Sequence, residues 1–496
     1  MSENFSRLHS RYNPQAEAER YIDALNLSGS IEYFILIEPG MGYLIPALQS
    51  RCKGSAIIAL HADSRFREQS CSMEQAVEGA GIPTWYPDSG VSVQDFLEKE
   101  IPDVGAASVR MIEWRPSLAV YGETYLKLIH EAAEFIKRAD ASYRTTAAFG
   151  TRWIKNFFRN LRLIRSALLF KPMDCPLVIT GSGPGLEDAA AHISALQDCG
   201  FILAASSSLA ALAARNIEPD MAISTDGGAW ALLHLHSCFR QPVIAHNKDK
   251  ISGRLPGGLP SLAISLSAAL PSQCADIPFL ALNDGSLWQS LILNALGIPS
   301  LALPQRGTVS ASALDLALAL SRGSIYLAGM DLSVRDIRSH ARPYGFDHLL
   351  YGTASRLQPL YSQCFTRSNA LRQGGSYAIY AAWFKKQLAA WPGRIFALNG
   401  NHAVFDKFIT HNVQPGHSRK KWEDHFSAVT ISTDAEGRCQ QGAQTLIAAL
   451  DEPQYSSILR KELSPLLFPA VAEAEVSVSE IKQAISNIVC GRTNRG

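Results

Sequence analysis

The stretch "LVITGSGPGLEDAAAHI", residues 177–193, joins an apolar run to the start of a helix through a turn with three glycines. This order predicts a strand, a tight turn and a helix. Glycine allows another backbone or a ligand to approach closely, and the free N–H groups of a helix N-terminus suit a phosphate. We therefore expect Gly181, Gly183 and Gly185 to form a strand-to-helix turn that is a candidate phosphate site.

Strands and helices alternate on both sides of this turn. Residues 33–50, "YFILIEPGMGYLIPALQS", predict a strand, a glycine turn and a helix, and 55–63 a further strand. Residues 219–226 and 323–331 predict strands that end in aspartates. Such alternation indicates α/β architecture with two Rossmann-like parallel-sheet domains. The lone G-M-G at 40–42 is only part of a dinucleotide fingerprint, and we interpret it as a tight turn.

Three regions separate along the chain. We expect an N-terminal α/β domain over 1–150, a central α/β domain over 151–405 and a mostly helical C-terminal region over 406–496. Residues 151–170, "TRWIKNFFRNLRLIRSALLF", predict one amphipathic helix at the first boundary. Its basic side favours a solvated face, and a surface for a membrane or an acidic partner is the alternative.

The composition of the 496-residue chain is that of a globular protein, with 47% hydrophobic and 18% charged residues. A net charge of +1 provides no field that would attract nucleic acid. Apolar stretches stay below the ~20 residues that span a bilayer, and the polar first residues do not resemble a secretory signal. The nine cysteines form no C-x-x-C pair. We expect a cytoplasmic protein without a membrane span, a nucleic-acid partner or a structural zinc site.

In open α/β sheets, ligands bind outside the carboxyl ends of the strands. Four features of the central region directly follow predicted strands: the glycine turn, Ser206–Ser208, Asp226 and Asp331. Together they predict a ligand site at this edge of the sheet. An aspartate in this position is also a common helix cap, and for Asp226 both interpretations stay open.

The segment 332–374 shows little periodicity, which is typical of a functional lid or a disordered loop. It contains arginines, which suit phosphate or carboxylate recognition, and His340 and His348, which suit proton transfer. We expect it to close over an anionic substrate, with a histidine that only bonds a backbone carbonyl as the alternative. The sequence has no G-x-S-x-G elbow and no P-loop, which disfavours a serine hydrolase and excludes a P-loop kinase.

The ordered set of motifs resembles the motility accessory factor family. The resemblance rests on "LVITGSGPGLED", "NIEPDMAISTDGG", "GTVSASALDLALALSRGSIYLAGMDLS" and "SHA", with "LHSRYNPQAEAERYI" and "RWIKNFFRNL" closer to the N-terminus. It covers most of the chain up to the C-terminal region. The family shares its central domain with 6-hydroxymethylpterin pyrophosphokinase-like proteins, and this domain is similar to bacterial sialyltransferases.

The resemblance implies a flagellin glycosyltransferase. Such an enzyme transfers a nonulosonic, sialic-acid-like sugar from a CMP-activated donor to Ser or Thr of flagellin, by direct displacement at the anomeric carbon. No cofactor is required on this hypothesis, because the donor carries one phosphate. Two residues depart from the usual family pattern: Gly185 stands in place of Ser, and Met330 in place of Gln.

The same resemblance implies roles for residues matched by position. His340 of "SHA" would be the catalytic base, with His348 or Asp336 next in line, and Asp331 would also be catalytic. No metal ligand is implied. The candidate residues for binding the nucleotide and substrate are Gly181, Ser182, Gly183, Pro184, Gly185, Ser206, Asp226, Gly307 and Thr308.

Two other functions stay open. One is pyrophosphoryl transfer from ATP to a pterin alcohol, with Asp226 and Asp331 binding Mg²⁺ that bridges the phosphates. The other is a non-catalytic factor that binds flagellin. This alternative stays open because Gly185 and Met330 depart from the usual family pattern. The N-terminal "LHSRYNP" favours the glycosyltransferase, because a stand-alone pyrophosphokinase would not need it.

Overall fold

The computed structural model divides into two compact units, unit 1 (Met1–Ala148) and unit 2 (Phe149–Gly496). Each contains a parallel sheet with helices on its faces, and the last part of the chain is mostly helical. The predicted α/β class is therefore confirmed, whereas the finer boundary at 405/406 stays a prediction. The structure describes residues 8–27, 31–67, 81–101, 104–240, 261–373, 375–398, 424–431, 434–469 and 476–491.

Among its described residues, unit 1 has four parallel strands: β1 (Tyr33–Ile37), β2 (Ala56–Leu60), β3 (Thr84–Trp85) and β4 (Val109–Glu113). Their order in the sheet is β3-β2-β1-β4. The helices are α1 (Pro14–Ala24), α2 (Leu44–Arg51), α3 (Val93–Glu100) and the first part of α4 (Pro116–Leu163), in which Gly122 breaks the helical backbone. Every residue of β1 is buried, as expected for a central parallel strand covered on both faces.

The described part of unit 2 contains ten strands. Five of them lie side by side at one end of the sheet: β6 (Leu177–Thr180), β7 (Phe201–Ala205), β8 (Met221–Ser224), β12 (Ile325–Ala328) and β13 (Ile395–Ala397). The first four are the strands predicted to precede the glycine turn, Ser206–Ser208, Asp226 and Asp331. The other five are β5 (Ser166–Phe170), β9 (Ser261–Ser265), β10 (Phe279–Asn283), β11 (Ser300–Ala302) and β14 (Phe426–Thr430). The order is β13-β12-β6-β7-β8-β9-β10-β5-β14, with β11 paired to β10. Strand β14 runs antiparallel to β5, and the other described pairs are parallel.

The helices of unit 2 cover both faces of this sheet. They are the end of α4 with α5 (Leu186–Leu196), α6 (Leu209–Ala213), α7 (Leu232–Arg240), α8 (Leu287–Ala295), α9 (Val309–Leu320), α10 (Asp347–Thr353), α11 (Leu360–Gln373), α12 (Ser376–Ala390), α13 (Ala435–Ala449), α14 (Pro453–Leu467) and α15 (Val478–Val489). Alternate residues of β6 point into two separate cores, one with α4, α5, α8 and the last three helices, the other with α9 and α12. Among the described helices, none has both the length and the apolar character needed to cross a membrane.

The predicted helix over 151–170 is wrong in its last third. The helix ends at Leu163, and the following apolar residues form β5, which pairs with β10 and β14. The three- and four-residue spacing of apolar residues continues to Leu168 in the sequence, because a short buried strand also supplies apolar residues at such intervals. Phe157 and Leu161 lie fully in the core, as the apolar stripe predicts.

The segment 332–374 contains two helices, α10 and α11, so the expectation of a structureless lid is also wrong. Its sequence lacks a one-sided apolar stripe because Tyr361 and Phe365 of α11 are exposed while Cys364 and Ser368 are buried. A helix of this composition shows no clear 3.6-residue period.

Candidate active site at the carboxyl edge of unit 2

The strand order β12-β6-β7-β8 places the carboxyl ends of these four parallel strands side by side. The glycine turn follows β6, Ser206 follows β7, Asp226 lies two residues beyond β8, and Asp331 lies three beyond β12. The fold therefore brings these four predicted features to one edge of the sheet.

The glycines of the turn pack directly against the segment that follows β12. The N–H of Gly181 donates to the carbonyl oxygen of Ala328 (2.7 Å), and that of Gly183 to the carbonyl oxygen of Gly329 (2.7 Å). A Cβ atom at Gly181 would collide with the Gly329 carbonyl, and one at Gly183 with the Asp331 carboxylate. The close contact between the turn and the segment after β12 therefore explains why these positions are glycine. Two of the amides expected to bind a phosphate already donate to carbonyl oxygens of the protein.

Asp331 caps the N-terminus of α5. Both of its carboxylate oxygens lie 2.9 Å from the amide nitrogen of Gly185, the residue that precedes the helix. The residue is 5% exposed. Because a helix N-terminus favours a negative charge, this carboxylate holds the position that an anionic ligand would take there. Pro184 is also buried, and its carbonyl accepts the N–H of Glu187 in the first turn (3.2 Å).

Ser207, rather than the predicted Ser206, faces the glycine turn. Its hydroxyl donates to the hydroxyl of Ser182 (3.0 Å), and both residues are half-buried. Ser206 is buried at the end of β7, and the hydroxyl of Ser208 lies 3.0 Å from that of Thr180. The Ser182 and Ser207 hydroxyls are thus the polar groups of this turn best placed to reorient toward a ligand.

His340 lies beside the glycine turn. The amide of the next residue, Ala341, donates to the carbonyl oxygen of Ser182 (2.8 Å). The imidazole ring stacks on Tyr344 with 4.0 Å between ring centroids and 15° between planes. Its Nδ1 atom lies 2.8 Å from the hydroxyl oxygen of Ser339. The structure therefore connects the predicted base to the predicted nucleotide-binding turn.

An aromatic and cationic cluster surrounds His340, and sequence interpretation missed most of it. The His234 ring of α7 stacks on Phe346 with centroids 4.8 Å apart. The Arg367 guanidinium of α11 lies 5.5 Å from the Phe346 ring centroid and 6.0 Å from that of Tyr344. We call this group the His340 cluster; its members are His234, His340, Tyr344, Phe346, Arg367 and Tyr377.

Burial and the charge of Arg367 set the protonation of this cluster. Burial, and then the Arg367 guanidinium, lower the pKa of His340 to about 3 and that of His234 to about 4. Burial raises the pKa of Tyr344 to about 12, with Arg367 opposing the shift. At neutral pH both imidazoles are therefore uncharged and the phenol is protonated.

The two predicted aspartates lie in the same electrostatic neighbourhood. Asp226 raises the pKa of Tyr344, and Asp331 raises that of Tyr377, in each case as a minor contribution beside burial. Asp226 itself is exposed, and its carboxylate accepts the N–H of Gly228 (2.7 Å) in a local turn. The carboxyl edge of unit 2 therefore combines carboxylates, the Arg367 guanidinium and uncharged rings.

The end of α4 holds the loops that follow β8 and β9. The side-chain amide of Asn156 donates to the carbonyl oxygens of Gly227 and Ser267 (both 3.1 Å). That of Asn160 donates to the carbonyl oxygens of Leu266 and Ala268 (both 2.8 Å). These bonds give the asparagines of "RWIKNFFRNL" a structural role next to Asp226.

Gly307 is hydrogen-bonded to α12, the helix that carries Tyr377, and Thr308 follows it in the chain. The hydroxyl of Tyr380 donates to the carbonyl oxygen of Gly307 (3.0 Å), and the same helix carries Tyr377 of the His340 cluster. Gly307 has a φ of +71°, a left-handed conformation that favours glycine, and Thr308 directly precedes α9.

Three of the arginines expected to bind substrate are paired within the protein. Arg335 binds Asp188 (2.6 Å), Arg338 binds Glu187 (3.3 Å), and Arg342 binds Asp347. The two reserve candidates for the base, His348 and Asp336, are both exposed. His, Tyr and Arg residues are concentrated over 340–377, and this concentration is the sequence feature that could have indicated the His340 cluster. It does not reveal which of these side chains lie close together.

Comparisons with known proteins agree with this fold. The family model described as 6-hydroxymethylpterin diphosphokinase MptE-like matches residues 151–257, which include the glycine turn and Asp226. A solved structure, MAf glycosyltransferase from Magnetospirillum magneticum AMB-1, matches 99% of this chain and 78% of its own at a TM-score of 0.50. Both matches support the resemblance to the motility accessory factor family at the level of the fold. The sequence identity to the MAf glycosyltransferase is 14%, so that match establishes the fold.

Two curated relatives come from Treponema pallidum (strain Nichols), and both are described as uncharacterized proteins. One is 29% identical over 318 residues, which is 63% of this chain and 65% of the relative. The other is 25% identical over 219 residues, which is 43% of this chain and 35% of the relative. The matches thus span about two thirds and one third of the lengths of these relatives.

Proposed function

We propose that this chain is a glycosyltransferase that moves a nonulosonic, sialic-acid-like sugar from a CMP-activated donor to Ser or Thr of flagellin in the cytoplasm. The observation that carries the proposal is the His340 cluster beside the glycine turn, in a fold shared with a MAf glycosyltransferase. The cluster offers a cation, flat aromatic faces and an uncharged imidazole. The seven cysteines whose side chains the structure describes are free thiols, which agrees with a reducing compartment.

The donor would bind mainly through side chains. The Arg367 guanidinium suits the donor phosphate, since its planar N–H groups match phosphate oxygens. Tyr344 and Phe346 offer faces for the cytosine ring. The Ser182 and Ser207 hydroxyls lie nearby for the ribose or the sugar. The amides of the turn are not needed, and one arginine opposite one phosphate makes a metal unnecessary on this hypothesis.

The transfer would be a direct displacement. The acceptor oxygen forms a bond to the anomeric carbon while the bond from that carbon to the CMP phosphate oxygen breaks, and CMP leaves with the electron pair. The proton of the acceptor hydroxyl passes to the imidazole of His340. Because a bound phosphate offsets Arg367, it would raise the His340 pKa and strengthen this base. Asp331 would act indirectly, by fixing the turn at the start of α5.

The deciding experiment supplies a CMP-nonulosonate and purified flagellin and measures CMP release together with the mass of flagellin. We expect CMP to appear only with both substrates, flagellin to gain whole sugar units, and EDTA to have no effect. Arg367→Ala should lower kcat/KM about 10²-fold or more, as is typical when a group that stabilises transition-state charge is removed. Arg356→Ala, an exposed arginine of the same segment, is the matched control. If the chain binds flagellin but no CMP is released, the chain is a non-catalytic flagellin-binding factor.

A second candidate function is diphosphoryl transfer from ATP to a pterin alcohol, favoured by the family model that matches 151–257. It would require Asp226 and Asp331 to hold Mg²⁺. In this structure both oxygens of Asp331 are directed to the Gly185 amide, which favours the glycosyltransferase. AMP release from ATP and hydroxymethylpterin, lost with EDTA, would reverse this preference.

A further inference from the structure

A second polar cluster lies in unit 1, at the carboxyl ends of its strands. The order β3-β2-β1-β4 means that the chain leaves β1 toward β2 and later returns to its other side as β4. Ligands of open α/β sheets bind at such a switch point. Glu38 directly follows β1 and His61 directly follows β2, both are fully buried, and Nδ1 of His61 lies 3.1 Å from a Glu38 oxygen. The proposed transfer reaction does not use them.

The glycine turn after β1 is closed to a phosphate. The amides of residues 40, 41 and 42 donate, in that order, to the Glu38 carboxylate (3.3 Å), Nε2 of His9 (3.0 Å) and the Pro39 carbonyl (3.3 Å). None of these three N–H groups is free to bind a phosphate. The buried Glu38 carboxylate would also repel one. A ligand at this edge must therefore be recognised by side chains, and its charge must be neutral or positive.

Two tyrosine hydroxyls in the first part of α4 could bind such a ligand. Within the described residues, the buried hydroxyl oxygens of Tyr121 and Tyr125 have no hydrogen-bond partner, and Tyr125 is 1% exposed. A buried hydroxyl that is left unpaired is costly. Both hydroxyls interact electrostatically with Glu38, and burial raises both pKa values, so both phenols are protonated donors. The start of α4 lies at this strand end, because the Ser117 hydroxyl, one turn before Tyr121, donates to the carbonyl oxygen of Glu38 (2.8 Å).

The surroundings of these hydroxyls match the parts of a nucleoside. The His61 ring stacks with Phe66 and with Tyr86, at centroid distances of 5.0 and 5.1 Å and plane angles of 28° and 6°. Asp63 follows β2 and lies about 20 residues beyond the glycine turn, where an acidic residue binds ribose in nucleotide-binding α/β folds. Its carboxylate is paired with the exposed Arg65, which a ribose would have to displace. Tyr121 packs in the small core that contains Phe66 and Tyr86.

We propose that unit 1 holds a second ligand site, for a nucleoside without a phosphate, at the carboxyl ends of β1 and β4. Tyr121, Tyr125 and Asp63 would bind the ribose hydroxyls, and the His61 stack would contact the base. An adenosyl compound with a neutral or cationic tail fits the carboxylates of Glu38 and Glu113. This site is independent of the proposed transfer reaction.

Isothermal titration of the full chain with adenosine, S-adenosylhomocysteine and AMP tests the proposal. We expect saturable binding of the first two and binding of AMP at least about tenfold weaker, because of the buried carboxylate. Tyr121→Phe and Tyr125→Phe remove one hydroxyl each and should raise Kd about three- to tenfold without lowering Tm. Tyr12→Phe, at a residue that is 98% exposed, is the matched control, and Arg367→Ala should leave nucleoside binding unchanged.

Three outcomes would overturn the proposal. The first is no binding of adenosine or S-adenosylhomocysteine at millimolar concentration, with ordered water on the two hydroxyls instead. The second is an unchanged Kd in both phenylalanine variants. The third is loss of binding in Arg367→Ala, which would move the nucleoside to unit 2. None of these results depends on whether the chain transfers a sugar.

Discussion

At the scale of single residues, the surroundings of His340 determine the protonation of its imidazole. Burial and Arg367 hold its pKa at about 3, so the free protein presents an uncharged imidazole. We expect the NMR resonances of this ring to stay in the neutral form between pH 8 and 5, and to become pH-dependent in that range when CMP is bound, because the phosphate opposes Arg367. His340→Ala assigns the signals. An ordinary titration near 6.5 in the free protein would contradict this description.

The kinetic role of His340 is a separate prediction. A general base contributes ~10²–10⁴-fold to the rate, so His340→Ala should lower kcat for CMP release by that factor. The KM for the donor should change only a few-fold, because the base contacts the acceptor hydroxyl. His192→Ala is the matched control, since His192 is exposed on α5 and has no proposed role. If the variant instead loses donor binding, His340 is a phosphate ligand.

Gly185 and Asp331 should be energetically coupled. A Cβ atom at Gly185 would collide with the Asp331 carboxylate, although the backbone of Gly185 is in the right-handed helical region and accepts alanine. We expect Gly185→Ala to lower the free energy of unfolding by about 1–3 kcal/mol in the parent protein. In an Asp331→Ala background the same change should be neutral or stabilising. Urea denaturation of the four proteins measures the coupling, and strict additivity would show that the carboxylate moves freely.

At the scale of elements, the end of α4 supports the loops of the site. Asn160 is buried, and Asn160→Ala would leave the carbonyls of Leu266 and Ala268 unpaired, which should cost about 2 kcal/mol or more of stability in urea denaturation. Asn156 is half-buried, so Asn156→Ala should cost less stability but lower kcat/KM through the loop that carries Asp226. Lys155→Ala, on the exposed side of the same turn, is the control. Equal losses in all three variants would contradict this role.

The same helix shows how much of an element the sequence determines. The apolar stripe through Phe157 and Leu161 predicts the core face correctly, because a helix that packs on a sheet must bury one side. The stripe could not reveal that the helix ends at Leu163. That end depends on pairing of β5 with β14, which lies more than 250 residues further along the chain. Long-range strand pairing leaves no local signal in the sequence.

At the scale of the whole molecule, topology assembles the candidate site. The sequence predicts that Asp226, Asp331 and the glycine turn follow parallel strands, and the rule for strand ends then brings them together. It does not reveal that Arg367 and Tyr377 of the later helices come to the same edge, since neither follows a strand. Nor does it reveal that Asp331 occupies the helix N-terminus, because that contact depends on β12 lying next to β6.

The buried histidines should also make the whole molecule sensitive to acid. Burial lowers the pKa of His9 in unit 1 to about 4, and that of His234 in unit 2 to about 4, whereas in an unfolded chain both lie near 6.5. Between these values the unfolded chain binds protons that the folded chain does not. The free energy of unfolding should therefore fall as the pH is lowered from 6.5 toward 4, by up to about 1.4 kcal/mol per pH unit for each histidine.

Urea denaturation at pH 7 and pH 5 measures this fall, and His9→Phe should reduce it by the share of one histidine. His130→Ala changes an exposed histidine of the same unit and should leave the difference between the two pH values as it is in the parent protein. His9→Phe should also lower stability at pH 7, because Nε2 of His9 accepts the Met41 amide. The prediction therefore concerns the pH dependence alone, and an equal pH dependence in the parent and His9→Phe proteins would show that His9 protonates in the folded state.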